Sequence, residues 1–340
     1  MPGVQALPGT MPVVRSLLAP AALAETVGAA YRLDGTRCWL IKATIRDVYR
    51  VESRSGPAVL CVYRHGRRTV EEIGAELDVL DDLAERGPAV GVRVAPAVRT
   101  LAGEQIVTLM APEGARHAVL FRFAEGQLLE RAPEPTLARR YGQTIAQLHV
   151  LTDAWLRTAA SARHRAPLDA ALLVDRSLER IATFLGHRPS DLEALGRAAG
   201  LLGRRLAALP REAPGSGLVH GDVIPTNVLV APDGRLTVLD FDFCGPGWRA
   251  FDVATYLHVA RDDPATEASG RDFLAGYQEV RPLADWELTA LPLFVAVREL
   301  FRLGNWGPRL EEWGTQALPD EAIERHLAWI REAMKRGVGW

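Results

Sequence analysis

Asp222, Asn227 and Asp240 are the residues of this chain whose types and spacing suit a defined chemistry. Asp222 follows His220-Gly221, Asn227 stands five residues further on, and Asp240 closes an apolar run. The runs Val228-Leu229-Val230 and Leu236-Thr237-Val238-Leu239 flank Asp233-Gly234, a dipeptide suited to a tight hairpin turn. Such a hairpin brings Asn227 and Asp240 to neighbouring positions, with Asp222 on the loop just ahead. Phosphoryl transfer needs a carboxylate that orients a hydroxyl and takes its proton. It also needs oxygen donors that hold Mg²⁺ on nucleotide phosphates. Asp-x-x-x-x-Asn has the spacing of a kinase catalytic loop, which makes Asp222 the expected base. Asn227 becomes an expected metal ligand. A carboxylate at a strand end is costly to bury without a cation, which points Asp240 to the same metal.

Three neighbours receive lesser roles. His220 is expected to fix the loop through backbone hydrogen bonds, since Asp222 already supplies a base. Asp252 is expected either to cap a helix or to brace the loop. Asp242, two residues beyond Asp240, reads as sharing its strand face, either as an outer carboxylate or simply solvated.

The elements that must position these residues fall into two regions. From Arg37 to about Arg64, three segments rich in β-branched and aromatic residues read as strands. Thr69 to Arg86 places Val70, Ile73, Leu77, Leu80 and Leu83 at helical spacing and stops at Gly87-Pro88. Gln105–Met110 and His117–Phe123 read as two more strands. Beyond Gly126 the pattern is helical, interrupted by the motif hairpin, with helices expected at 137–151, 168–185, 192–209, 251–260, 271–280, 286–303 and 321–334. The expected class is α+β. Residues 1–125 form a small, mostly antiparallel β lobe with helices, and residues 126–340 a larger, mainly helical lobe.

At 340 residues the chain is long enough for two lobes. A net charge of −2 provides no basic field for nucleic acid or an anionic membrane. Three cysteines, odd in number and outside metal spacing, suit a reducing cytoplasm. Ser16–Ala30 reads as an amphipathic helix with Pro20 in its first turn rather than a signal peptide. No window has the apolar length needed to span a bilayer. The acids Asp262, Asp263, Glu267, Glu311 and Glu312 read as a solvated face. Of 40 basic side chains, only Lys42 and Lys335 are lysines.

The segments LVHGDVIPTNVLV and LTVLDFDFCGPGWRAFDVATYL resemble the aminoglycoside phosphotransferase/choline kinase-like family, nearest its stress-response kinase and type II homoserine kinase-like branch. The resemblance runs over most of the chain, with weaker echoes in AELDVLDDLAERG, HAVLFRFAEG and IAQLHVLTD. It implies a two-lobed protein-kinase-like fold that binds ATP, with Asp222 as catalytic base and Mg²⁺ held by Asn227 and Asp240. It further implies that the backbone of Phe121–Gly126, around Phe123 and Ala124, faces adenine. Glu76, in the predicted helix, matches the family's glutamate that pairs with a third-strand lysine.

That lysine is missing. Cys61 stands in its place, and a thiol carries no charge to offset phosphate oxygens. Lys42, where the first strand gives way to the phosphate-covering turn Ala43–Arg46, is one candidate to take over its role. Arg64, three residues beyond Cys61, is the other, with a guanidinium fork in place of a point charge. The expected function is an ATP- and Mg²⁺-dependent phosphotransferase acting on a hydroxyl of a small molecule, either an antibiotic or a metabolite alcohol, or of a protein Ser/Thr. The competing reading is a kinase-fold protein that binds nucleotide or ligand with little or no transfer. The expected partners are nucleotide and acceptor, with neither nucleic acid nor membrane.

Overall fold

The computed structural model describes residues 13–261 and 264–335, so Asp262 and Asp263 lie outside it. The chain opens with α1 (Pro20–Tyr31), its proline at the first helical position, where no intrahelical N–H is needed. Then come β1 (Arg37–Ala43), β2 (Arg46–Ser53), β3 (Gly56–Tyr63), α2 (Val70–Arg86), β4 (Arg93–Val94), β5 (Val107–Ala111), β6 (Gly114–Arg122) and β7 (Gln127–Leu128). Helices α3 (Pro135–Thr158), α4 (Arg176–Leu185) and α5 (Pro189–Ala207) lead to β8 (Ser216–Val219), β9 (Val228–Val230), β10 (Leu236–Val238) and β11 (Gly245–Trp248). The chain closes with α6 (Arg249–Ala260), α7 (Pro264–Val280), α8 (Asp285–Gly304), α9 (Gly307–Trp313) and α10 (Asp320–Lys335). Among the described residues no helix is long and apolar enough to cross a membrane.

The chain divides into two compact units that interleave in sequence. One comprises residues up to Val70 together with Val98–Arg122; the other comprises Glu71–Ala97 and Phe123 onward. The first is built on a five-stranded antiparallel sheet ordered β1-β2-β3-β6-β5. Alternation along the strands gives the sheet two distinct faces. Tyr49, Val51, Leu60, Val62, Ala118 and Leu120 bury one face against Leu23, Val27 and Tyr31 of α1. The opposite face carries a row in which Lys42 registers with Val48, Val48 with Cys61, and Cys61 with Val119.

The second unit contains a four-stranded sheet ordered β4-β10-β9-β7 and a two-stranded ribbon of β11 and β8. Helix α2 belongs here because its chain partners do. After it, β4 runs parallel to β10, pairing Arg93 with Thr237 and Val94 with Val238. At its C-terminal end, Arg86 donates to the Leu151 carbonyl of α3 at 2.8 Å.

Helices α3 and α7 meet backbone to backbone. A Cβ at Gly142 would lie 1.9 Å from the Phe273 carbonyl oxygen, and one at Gly276 would lie 1.9 Å from that of Arg139. Overpacking with no flexible side chain to yield costs about 1–3 kcal/mol. Gly142→Ala is therefore expected to lower stability by about 2 kcal/mol in urea unfolding, although alanine is the better helix former. An unchanged midpoint would show that the two helices separate freely. The contact bears on the site because α3 also carries His149.

Candidate active site

The hairpin forms as the sequence suggests. Val228 pairs with Val238 and Val230 with Leu236, and the Leu239 N–H donates to the Asn227 carbonyl at 2.8 Å. Asn227 and the chain entering Asp240 therefore stand side by side. Asn227 also reaches back across the loop, its Nδ2 donating to the Asp222 carbonyl at 3.0 Å and to Asp222 Oδ2 at 2.8 Å. With its amide nitrogen so engaged, Asn227 keeps Oδ1 as an oxygen donor. Asp222, Asn227 and Asp240 are thus brought together by one unit.

Backbone constraints shape the loop. Gly221 has φ +79°, and a Cβ there would lie 2.7 Å from the Phe243 carbonyl oxygen, so only glycine fits without strain. His220 bridges the two halves of the motif. Its Nε2 donates to the Leu239 carbonyl at 2.9 Å, and its Nδ1 accepts the Asp222 N–H at 3.2 Å. This bracing role is the one the sequence suggests.

Asp252, fully buried in α6, settles between its two expected roles as a brace. Its Oδ2 accepts the His220 N–H at 2.7 Å, and its Oδ1 accepts that of Gly221 at 2.8 Å. His149 Nε2 donates to the same carboxylate at 2.9 Å, while Tyr277 donates its hydroxyl to Nδ1 at 2.7 Å. Complete burial pushes the His149 imidazole below its ordinary value, although Asp252 draws it the other way.

Sequence reasoning missed Arg298 of α8. Its guanidinium forms an ion pair with Asp222 Oδ1 and also donates to the Gly221 carbonyl at 3.4 Å. Asp222 is therefore held from both sides, by Asn227 on one oxygen and by Arg298 on the other. A signal was present: Arg298 and Glu299 interrupt an otherwise apolar run, Ala290-Leu-Pro-Leu-Phe-Val-Ala-Val297, and both are buried. Charges so placed call for partners.

Glu299 finds most of its partners away from α8. It pairs with His258 of α6 and His326 of α10, and accepts from Arg261 at 3.0 Å. Burial pushes His258 down to about 4. Burial alone would raise Glu299, but hydrogen bonds from His258 and His326 hold it well below the carboxylate range. Both shifts act in one direction. A histidine depressed on folding contributes stability above its unfolded value, and this is lost as pH falls towards the folded one. A depressed carboxylate loses its contribution at still lower pH. Stability is thus expected to fall between about pH 6.5 and 4, by about 3 kcal/mol from His258 alone. Chemical unfolding at pH 7, 5.5 and 4.5 reads the slope, and a flat profile would mean His258 is charged in the folded protein.

Asp242 does not share a strand face with Asp240, because β10 ends at Val238. Asp240 takes a left-handed conformation (φ 64°, ψ 66°), and Phe241–Phe243 form a 3₁₀ turn. Side-chain alternation ends where the strand ends. Asp242 is instead buried in that turn.

The remaining expected residues divide between the units. Lys42 and Arg64 belong to the first, and Glu76, Phe123 and Ala124 to the second. Glu76 is buried on α2. Phe123 and Ala124 are half-buried just after β6, where the chain passes into the second unit. Lys42 is exposed near the end of β1, level with Cys61 across β2. Arg64 lies one residue beyond β3, out of phase with Cys61. Trp306 and Trp313 both pack on the Arg309 guanidinium, 5.3 Å from each ring.

A sheet-based unit, a helical unit and a catalytic-type loop braced by a buried aspartate define a kinase-like phosphotransferase. Residues 41–290 match the model of the phosphotransferase enzyme family, APH, and the chain belongs to that family. It is an enzyme that transfers a phosphoryl group to a hydroxyl acceptor. It is 36% identical over 333 residues to an uncharacterized protein of Deinococcus radiodurans, covering 96% of this chain and 93% of that one. A homoserine kinase of Caulobacter is 29% identical over 301 residues, covering 84% and 86%. Among solved structures, a microcompartment-associated aminopropanol kinase superposes with TM-score 0.75 at 25% identity, covering 92% of this chain and 95% of that one.

Proposed function

We propose that this enzyme moves the γ-phosphoryl group of ATP to the hydroxyl of a small metabolite alcohol, with Mg²⁺ as its metal. The observation that carries this reading is Asp222, held by Asn227 and Arg298 on a loop braced by Asp252. Its carboxylate is placed to accept a hydroxyl proton, since each oxygen keeps a lone pair beyond the bond it already accepts. The donor set suits Mg²⁺. Among the described residues no group of three His, Cys, Asp or Glu is placed to hold a metal alone. Mg²⁺ takes one or two protein oxygens and completes its shell with phosphates and water. Asn227 Oδ1 and the Asp240 carboxylate would be those oxygens, and the ion would offset charge on the nucleotide phosphates.

A small acceptor is supported by similar proteins that act on homoserine and aminopropanol. For the phosphate side, Lys42 is supported over Arg64. Directly paired residues share a sheet face, so Lys42 stands on the face of Cys61, two strands or about 10 Å away. Phe123 and Ala124 would offer backbone groups to adenine.

The test is incubation with Mg-ATP and a panel of homoserine, amino alcohols, sugars and aminoglycosides, followed by ³¹P NMR for ADP and a phosphate monoester. Turnover of a small neutral or zwitterionic alcohol is expected. Failure to bind ATP at millimolar concentration would sink the reading.

A further inference from the structure

Between α3 and α4, Arg165 sends its side chain inward and is 5% exposed. All four of its hydrogen bonds among the described residues go to main-chain carbonyls. Nε donates to Cys244 at 2.6 Å, and Nη2 donates to Phe241 at 3.1 Å and to Asp242 at 2.7 Å. Nη1 donates to Glu72 at 3.1 Å. Three of these carbonyls belong to the turn that begins directly after Asp240. The fourth lies in the first turn of α2, one helical turn before Glu76.

We propose that Arg165 is a positioning residue for the metal-binding turn, and that its one guanidinium fixes that turn and the start of α2 as a single unit. The proposal rests on the reading of Asp240 as a metal ligand. Asp240 is one of two described non-glycine residues with positive φ. Such a conformation persists only where the surroundings over-determine it. On one side Asp240 is fixed by β10, whose neighbour β4 follows α2 in the chain. On the other side the 3₁₀ turn offers its own Cys244-to-Phe241 hydrogen bond at 2.9 Å, and then the Arg165 fork. A guanidinium spreads its donors in a rigid plane and so reads several carbonyls at once; a lysine ammonium is a flexible point charge. Arg165 therefore does for the turn what β4–β10 pairing does for the far end of α2.

The test uses Arg165→Met and Arg165→Lys in the full chain. Mn²⁺ affinity is read by electron paramagnetic resonance in the presence of a non-hydrolysable ATP analogue, and amide exchange by mass spectrometry without ligand. Arg165→Met is expected to weaken Mn²⁺ binding at least tenfold while analogue affinity in EDTA stays within twofold. Exchange is expected to quicken in two separate places, 240–245 and 70–76. Arg165→Lys is expected to fall between the wild type and Arg165→Met. If Arg165→Met does not fold, Arg165→Lys is judged by the same criteria at threefold. Mn²⁺ affinity within twofold of wild type, or faster exchange in only one of the two segments, would overturn the proposal. A wild-type protein that binds neither Mn²⁺ nor the analogue would instead refute the kinase reading. The exchange arm would then decide the coupling alone.

Discussion

Replacing Asp222 with asparagine is expected to lower kcat by about 10³-fold, within the range a positioned general base supplies, while ATP affinity changes little. The substitution keeps shape and removes both charge and basicity. It also disturbs placement, because Asp222 accepts from Asn227 on one oxygen and from Arg298 on the other. An amide has only one accepting end, so one of those donors would face an NH₂ group. The measurement is coupled-assay turnover of the best acceptor, with calorimetry for ATP. A kcat within tenfold of wild type would show that another group takes the hydroxyl proton.

Lys42→Ala is expected to reduce kcat/KM for ATP by about 30- to 150-fold, corresponding to about 2–3 kcal/mol for a charge-assisted contact with phosphate. Arg64→Ala should cost less than about threefold, because Arg64 lies one residue beyond β3 and out of phase with the Lys42–Cys61 row. The decisive variant is Cys61→Lys in the Lys42→Ala background. Lys42 and Cys61 flank Val48 in one row of the sheet, so a lysine at either position extends from the same face. Recovery of at least half the lost activity is expected. Wild-type kinetics in Lys42→Ala would pass the role to Arg64. No recovery in the double variant would mean that the row does not face the phosphates.

What the sequence revealed was local. The hairpin, the Asp-x-x-x-x-Asn spacing and the β-branched and aromatic segments of β1 to β3 are written in residues near one another, and each appears in the structure. The missed residues act across long stretches of chain. Arg298 is 76 residues from Asp222, Arg165 is 76 from Phe241, and Tyr277 is 128 from His149. No periodicity records such pairings. Short elements escaped for another reason: β4 and β7 have two residues each, too few for any alternation to show. The Asp242 reading failed at a single backbone angle, because a left-handed residue ends the strand that parity assumes.

Arg298 and Glu299 are consecutive, and one holds the Asp222 carboxylate while the other holds α10 through His326. Counted along the chain, α10 begins nearly a hundred residues after Asp222. Counted in side chains, it is two handholds away. Loosening α10 would therefore be felt at Asp222 through two adjacent side chains of α8.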